Sequence, residues 1–283
     1  PNFVKAAPLL EYFESKNLNI LFIHTGQHKD KKMSSNIFDD LDIRNPNITL
    51  ETPTVNMSEQ LSYMLDALND VFTKNEISKV GVFGDVTSTL AASLAAKNKK
   101  LELFHVESGL RSRNMEMPEE RNRIIVDSIS DFLFAPSDDA VQNLIEENID
   151  SEKIFSVGNI MIDTLKKNYE KIKNGTDEIL KQLNIKNEYF VTTIHRPSNL
   201  TEENLNNIFN ALSEFTNKYS VILPAHPRLK KYIEENRIKL KNISLIDPMS
   251  YIDFLSLVNG SKLVLTDSGG LQKEAFLLKV PCS

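Results

Sequence analysis

Short apolar runs alternate with longer amphipathic stretches along this chain. The runs fall at Asn19–Thr25, Lys79–Gly84, Glu102–Val106, Phe132–Ala135 and Ile154–Val157, then at Tyr189–Ile194, Ser220–Pro224, Ile243–Ile246 and Lys262–Thr266. Most lack polar alternation, which is how strands buried on both faces of a parallel sheet read. Helical spacing fills the gaps: Phe3–Lys16, Ser58–Lys74, Thr87–Asn98, Pro118–Ile129, Ala140–Asn148, Ile160–Lys173, Glu202–Tyr219, Tyr251–Asn259 and Gly270–Leu278. The alternation predicts α/β architecture with parallel sheets. Strand–helix units run evenly to about Val157, and a charged, lysine-rich helical stretch follows over Ile160–Lys186 with only Gly175 as a breaker. A fresh strand series then begins. Two doubly wound domains are expected, 1–162 and 163–283, joined near 160–170. Gly158 and Gly260 read as turn glycines.

Composition narrows the partners. With 41% hydrophobic and 25% charged residues the chain is an ordinary globular one. A net charge of -6 argues against broad attraction to nucleic acid or acidic membranes. Nothing approaches the roughly 18 apolar residues of a membrane span. The single cysteine, Cys282, excludes an intramolecular disulfide and a cysteine-built metal site, and fits a reducing cytoplasm. The five histidines are scattered, with no common zinc spacing. No Gly-x-Gly-x-x-Gly follows a visible strand and no Gly-x-x-x-x-Gly-Lys-Ser/Thr occurs, which disfavours tightly bound NAD and P-loop chemistry.

Chemistry gathers at run ends. In TDSGGLQKEAF, residues 266–276, a strand passes into a helix through Ser268, Gly269 and Gly270. A helix N-terminus offers free N–H groups and a positive dipole end, and glycines let an anion approach. Glu274, one turn on, can accept from ribose hydroxyls; a plain serine N-cap with a tight turn is the other reading. In the first half, Asp85 ends one run and His105 and Glu107 end the next. Asp85 can be an N-cap or an acid. Glu107 is costly there unless paired, solvated or functional. Glu119 and Glu120 follow Pro118, a favoured helix start, with Arg123 one turn on. Acids so placed can form acid/base pairs with divided pKa values. In the second half His195-Arg196 and His226-Pro227-Arg228 suit a diphosphate, or are turns beside surface histidines.

Taken in order, Pro1-Asn2-Phe3-Val4-Lys5-Ala6-Ala7-Pro8-Leu9, Thr25-Gly26-Gln27-His28, Gly84-Asp85, His105-Val106-Glu107-Ser108-Gly109-Leu110-Arg111, Pro118-Glu119-Glu120-Arg121-Asn122-Arg123, Val157-Gly158-Asn159, His195-Arg196 and Asp267-Ser268-Gly269-Gly270 resemble the non-hydrolysing UDP-N-acetylglucosamine 2-epimerases over nearly the whole chain. The resemblance implies a GT-B fold, two Rossmann-like domains with the active site in the cleft between them. It implies an isomerase that interconverts UDP-GlcNAc and UDP-ManNAc by eliminating UDP to 2-acetamidoglucal and adding it back. No redox cofactor and no metal are expected, a homodimer is, and the product would feed surface glycans. By motif, Asp85, Glu107 and Glu119 match the family's catalytic acids, and His195 and Arg123 its other active-site side chains. Ser268, Gly269, Gly270 and Glu274 match the UDP site, and Lys5 a lysine of the first phosphate-contacting helix. Gln27 and His226 match parts of the site where bacterial members bind a second UDP-GlcNAc as activator. Asp30 stands where those members carry glutamine, and a nearby arginine has no counterpart. The family's opening strand and Gly-Thr-Arg-Pro loop would precede Pro1, and its Arg-x-x-Thr-Glu-Arg-Pro-Glu segment and last helices would follow Ser283, so an incomplete chain is expected. Other readings are an epimerase of a diacetamido-uronate or L-amino sugar nucleotide, a GT-B glycosyltransferase, a hydrolysing 2-epimerase, and a silent UDP-sugar-binding protein.

Overall fold

The structure is a computed structural model describing residues 2–27, 37–53, 55–196, 199–216, 218–225, 227–236, 238, 240 and 243–283, without the side chains of 227 and 228. The chain divides into two compact units, 1–164 and 165–283.

In the first unit the order is α1 (Asn2–Ser15), β1 (Ile23–His24), β2 (Ile48–Thr49), α2 (Met57–Lys74), β3 (Lys79–Phe83), α3 (Thr87–Asn98), β4 (Glu102–Val106), α4 (Pro118–Ile129), β5 (Phe132–Ala135), α5 (Asp138–Glu146) and β6 (Ile154–Ser156). Strands β3 to β6 pair in chain order as a parallel sheet, and β1 and β2 form a separate parallel pair. Local chemistry sets the helix starts. Asn56 Oδ1 accepts the Glu59 N–H at 3.0 Å to cap α2. Pro118 occupies the first turn of α4, where its missing N–H costs nothing. Val86 cannot cap α3, and the Gln27 side chain, far back in sequence, accepts the Ser88 N–H at 3.0 Å instead. Met64, Leu68 and Phe72 recur every four residues along α2 and pack with Ala91, Ala95, Leu103 and Val126. Burying a side chain such as Leu103 is worth about 1.5–3 kcal/mol.

The boundary falls within α6 (Met161–Gln182). The second unit continues with β7 (Tyr189–Thr193), α7 (Glu202–Phe215), β8 (Ser220–Pro224), α8 (Pro227–Glu235), β9 (Ile243–Ile246), α9 (Tyr251–Asn259), β10 (Leu263–Thr266) and α10 (Gly269–Leu277). Its sheet is parallel in the order β10-β7-β8-β9. All of β7 is buried, the pattern its apolar run predicts. Pairing of Thr266 with Thr193 brings the carboxyl ends of β10 and β7 level, and the two hydroxyls lie 2.6 Å apart.

Four details differ from the sequence reading. The Asn19–Thr25 run yields only two ladder residues, because the Phe22 N–H goes to the Asn47 side chain at 2.8 Å. Helix α6 does not stop at Gly175. A side chain there would come within 2.8 Å of Ser256 Oγ, so this glycine serves close packing. Gly260 likewise has a right-handed φ of -85°, and a side chain would meet Tyr189 Oη at 2.5 Å; it too is a packing glycine. Finally, β2 and α8 went unpredicted. The first is two residues long, and the second shows little beyond Leu229 and Ile233 as a buried stripe.

Candidate active site

The carboxyl ends of β3 and β4 carry the first group of charged side chains. Beyond Phe83 the chain turns at Gly84, whose φ of 64° a side chain resists, and a Cβ there would crowd Asn2 Oδ1 and Lys5 Nζ at 3.1 Å each. Asn2 holds this turn by donating to the Phe83 carbonyl at 3.0 Å. Beyond Val106, Glu107 has a φ of 70°, an uncommon conformation for a residue with a side chain and one that costs roughly 1–2 kcal/mol. Its N–H and that of Ser108 both donate to the Phe134 carbonyl, at 3.1 and 3.2 Å, which stabilises the turn. Such strain collects where geometry serves function.

Each acid meets a cation. Glu107 pairs with Lys5 from α1, and both side chains are largely buried. Asp85 pairs with Arg123 from α4, and the Asn122 amide donates to the Asp85 carbonyl at 2.8 Å. Arg123 also donates to Glu120 at 2.9 Å. Glu120, 1% exposed, accepts the N–H groups of Ser112 and Arg113 at 2.9 and 2.8 Å and the Ser112 hydroxyl at 3.0 Å. Burial pushes the Glu120 carboxyl up, but these donors and Arg123 outweigh it and hold the group below its ordinary range. The structure thus brings together Lys5, Asp85, Glu107 and Arg123. Glu119 is half-buried, and its side chain makes no hydrogen bond or ion pair among the described residues. Glu120, passed over in the sequence as helix-start chemistry, is the acid tied into the network. Its spacing of three from Arg123 was the available signal. Asp85 is no N-cap. Gln27 fills that part, and His226 lies outside the described residues.

A second group stands at the ends of β7 and β10. Asp267 accepts the backbone N–H groups of His195 at 3.0 Å and Arg196 at 2.9 Å, and the Asn199 amide at 2.8 Å. Burial raises its carboxyl, yet the Arg196 N–H, Asn199 and the His195 N–H hold it below the ordinary range. Arg196 returns a bond from Nε to the Asp267 carbonyl at 3.0 Å. The His195 ring is left mostly exposed, with Nδ1 3.7 Å from Asp267. Asp267 was missed because its work is to fix the loop that bears His195.

Ser268 caps α10, its hydroxyl accepting the Leu271 N–H at 3.4 Å. Gly269 and Gly270 form the first turn. A Cβ at Gly269 would meet nothing within 4 Å, and its φ is not left-handed, so neither packing nor conformation asks for glycine. A group approaching this backbone from outside would use the space, and the free N–H groups favour an anion. Glu274 lies one turn on, buried, accepting from the Tyr251 hydroxyl at 2.9 Å. Burial pushes its carboxyl up, and the bond from Tyr251 only partly opposes this. Among the described residues no helix is long and apolar enough to cross a membrane.

The model of the family described as UDP-N-acetylglucosamine 2-epimerase matches residues 11–283. A UDP-N-acetylglucosamine 2-epimerase homolog of Methanococcus maripaludis is 42% identical over all of this chain and 80% of its own length. A UDP-2,3-diacetamido-2,3-dideoxy-D-glucuronate 2-epimerase of Pseudomonas aeruginosa is 38% identical over all of this chain and 79% of its own. The crystal structure of Methanocaldococcus jannaschii UDP-GlcNAc 2-epimerase in complex with UDP-GlcNAc and UDP superposes with a TM-score of 0.91 at 36% identity, covering 99% of this chain and 79% of that one. At that likeness the fold is of the GT-B class, with two Rossmann-like domains. A match this long, with strand-end acids and an open helix N-terminus in place, makes the chain a member of the UDP-N-acetylglucosamine 2-epimerase family.

Proposed function

We propose that this chain is an isomerase interconverting UDP-GlcNAc and UDP-ManNAc. The observation that carries the reading is the pair of acids on adjacent strand ends, Asp85 and Glu107, each set against its own cation. The C2 hydrogen of a 2-acetamido sugar is not beside a carbonyl, so direct deprotonation is hard. Elimination avoids the problem. A carboxylate takes the C2 proton, the C1–O bond breaks, and UDP leaves as 2-acetamidoglucal forms. A diphosphate oxygen then bonds to C1 again while an acid delivers a proton to the opposite face of C2. Atoms balance with no net redox change. Such a scheme needs a base, an acid and a firm hold on the departing UDP. Asp85, Glu107 and Glu119 are proposed for the proton steps, with Arg123 paired to Asp85 and Lys5 to Glu107. His195, Ser268, Gly269 and Gly270 are proposed to hold the diphosphate and Glu274 the ribose. By family likeness the protein is further proposed to act as a homodimer in the cytoplasm. The test is turnover of UDP-GlcNAc with no nicotinamide or metal added. UDP-ManNAc of unchanged mass supports the reading. Free ManNAc plus UDP, or turnover of only the diacetamido-uronate nucleotide, overturns it.

Glu274 gives a pH prediction. Its folded carboxyl is raised by burial, so the unfolded chain loses this proton at lower pH than the folded one. Stability attributable to Glu274 is therefore full below the ordinary glutamate range and falls as pH rises through the raised value. Glu274→Gln is expected to remove this decline while keeping an acceptor for Tyr251, and to weaken UDP binding. Urea unfolding at stepped pH, with UDP titration, checks both. A wild-type decline unchanged in the variant would contradict the assignment.

A further inference from the structure

His105 is the penultimate residue of β4, two before Glu107, with its ring wholly buried. Nδ1 lies 2.6 Å from Asp127 Oδ1, and Nε2 lies 2.8 Å from the Gly84 carbonyl oxygen. The other Asp127 oxygen accepts the Gly109 N–H at 3.0 Å and lies 2.8 Å from Arg111, a side chain that is always charged. Asp127 is thus surrounded by donors, and a carbonyl oxygen has no hydrogen to give. The His105 ring thus bridges the Asp127 carboxylate and the Gly84 carbonyl oxygen.

The partners explain why this matters. Gly84 leads directly into Asp85, and Gly109 closes the turn that Glu107 opens. Gly84, Glu107 and Gly109 have φ of 64°, 70° and 78°, so both turns rest on left-handed backbone. Backbone of that kind persists only where its surroundings over-determine it. A buried histidine more often only satisfies a core polar group, but this one joins the two turns bearing the proposed acids.

We propose that His105, seated by Asp127, is a positioning residue that locks the Gly84–Asp85 and Glu107–Gly109 turns together. It touches no substrate, and its bearing on catalysis rests on the epimerase reading. The test labels the histidines with ¹⁵N and assigns His105 by its loss in His105→Gln. The wild-type ring is expected to show a slowly exchanging N–H, held between Asp127 and Gly84. In His105→Gln and His105→Phe, kcat should fall about 100-fold, since roughly 1 Å of misplacement has that effect, with KM within about threefold. Amide exchange should quicken at Gly84 and Gly109 while amides of the second unit stay protected. A ring N–H that exchanges freely with water, or a His105→Phe protein that keeps both kcat and this protection, overturns the proposal. Should these variants fail to fold, the wild-type ring spectrum and Asp127→Asn carry the same test. The spectrum and the exchange need no substrate, so they judge His105 even where the wild type fails to epimerise, a result that would count against the epimerase reading alone.

Discussion

Glu107→Gln is expected to lower kcat about a thousandfold and leave KM for UDP-GlcNAc within a few fold. General acid–base catalysis supplies about 10² to 10⁴ in rate, and an amide cannot carry the proton. Glutamine occupies the left-handed turn much as glutamate does, and the backbone bonds to the Phe134 carbonyl do not involve the side chain. Lys5 loses its charged partner but is not sealed from water. Loss of rate should therefore come without loss of fold. Steady-state kinetics beside circular dichroism separate the two. Retained kcat would move the proton steps to Asp85 and Glu119.

Glu120→Ala carries the largest expected effect on stability, about 3–5 kcal/mol, the usual result of removing one partner of a buried ion pair. Arg123 would lose its second carboxylate, and the Ser112 and Arg113 N–H groups would lose their acceptor. Activity should fall too, because Arg123 is the cation set against Asp85. The sign of the pH effect follows from the depressed carboxyl. Its contribution is full above the ordinary glutamate range and is lost as pH falls through the lowered folded value. Wild-type stability should drop along that acid limb more steeply than the variant's, whose remaining slope comes from groups such as Asp267. Chemical denaturation at neutral and acid pH measures both. A cost below about 1 kcal/mol at neutral pH would show that the network is replaceable.

The comparison of Glu119 with Glu120 shows where sequence reading stops. Both follow Pro118 in a first helical turn, and both suit its dipole. About 100° of helix rotation separates them, so one reaches the N–H groups of Ser112 and Arg113 and the other does not. Nothing local to the helix marks which. Asp267 and His105 pose the same difficulty at longer range. The bonds of Asp267 to His195 and Arg196 depend on β10 lying beside β7, and those of His105 depend on α4 crossing the ends of β3 and β4. Parallel strands were legible because both faces are buried, and the charged groups at their ends were legible because a carboxylate closing an apolar run needs a reason. Partners were not, since pairing is a property of the fold. The same limit hid β2, whose two residues follow Asn45-Pro46-Asn47, and it made Gly175 look like a breaker, although it is the point where α6 meets Ser256.

The most direct measurement gives the protein UDP-GlcNAc in D2O without added cofactor and follows the reaction by proton NMR. Elimination and re-addition predict UDP-ManNAc with deuterium at C2 in both epimers and the diphosphate linkage restored. UDP-ManNAc that retains its original C2 hydrogen, or UDP-GlcNAc that binds without turning over, would contradict the account.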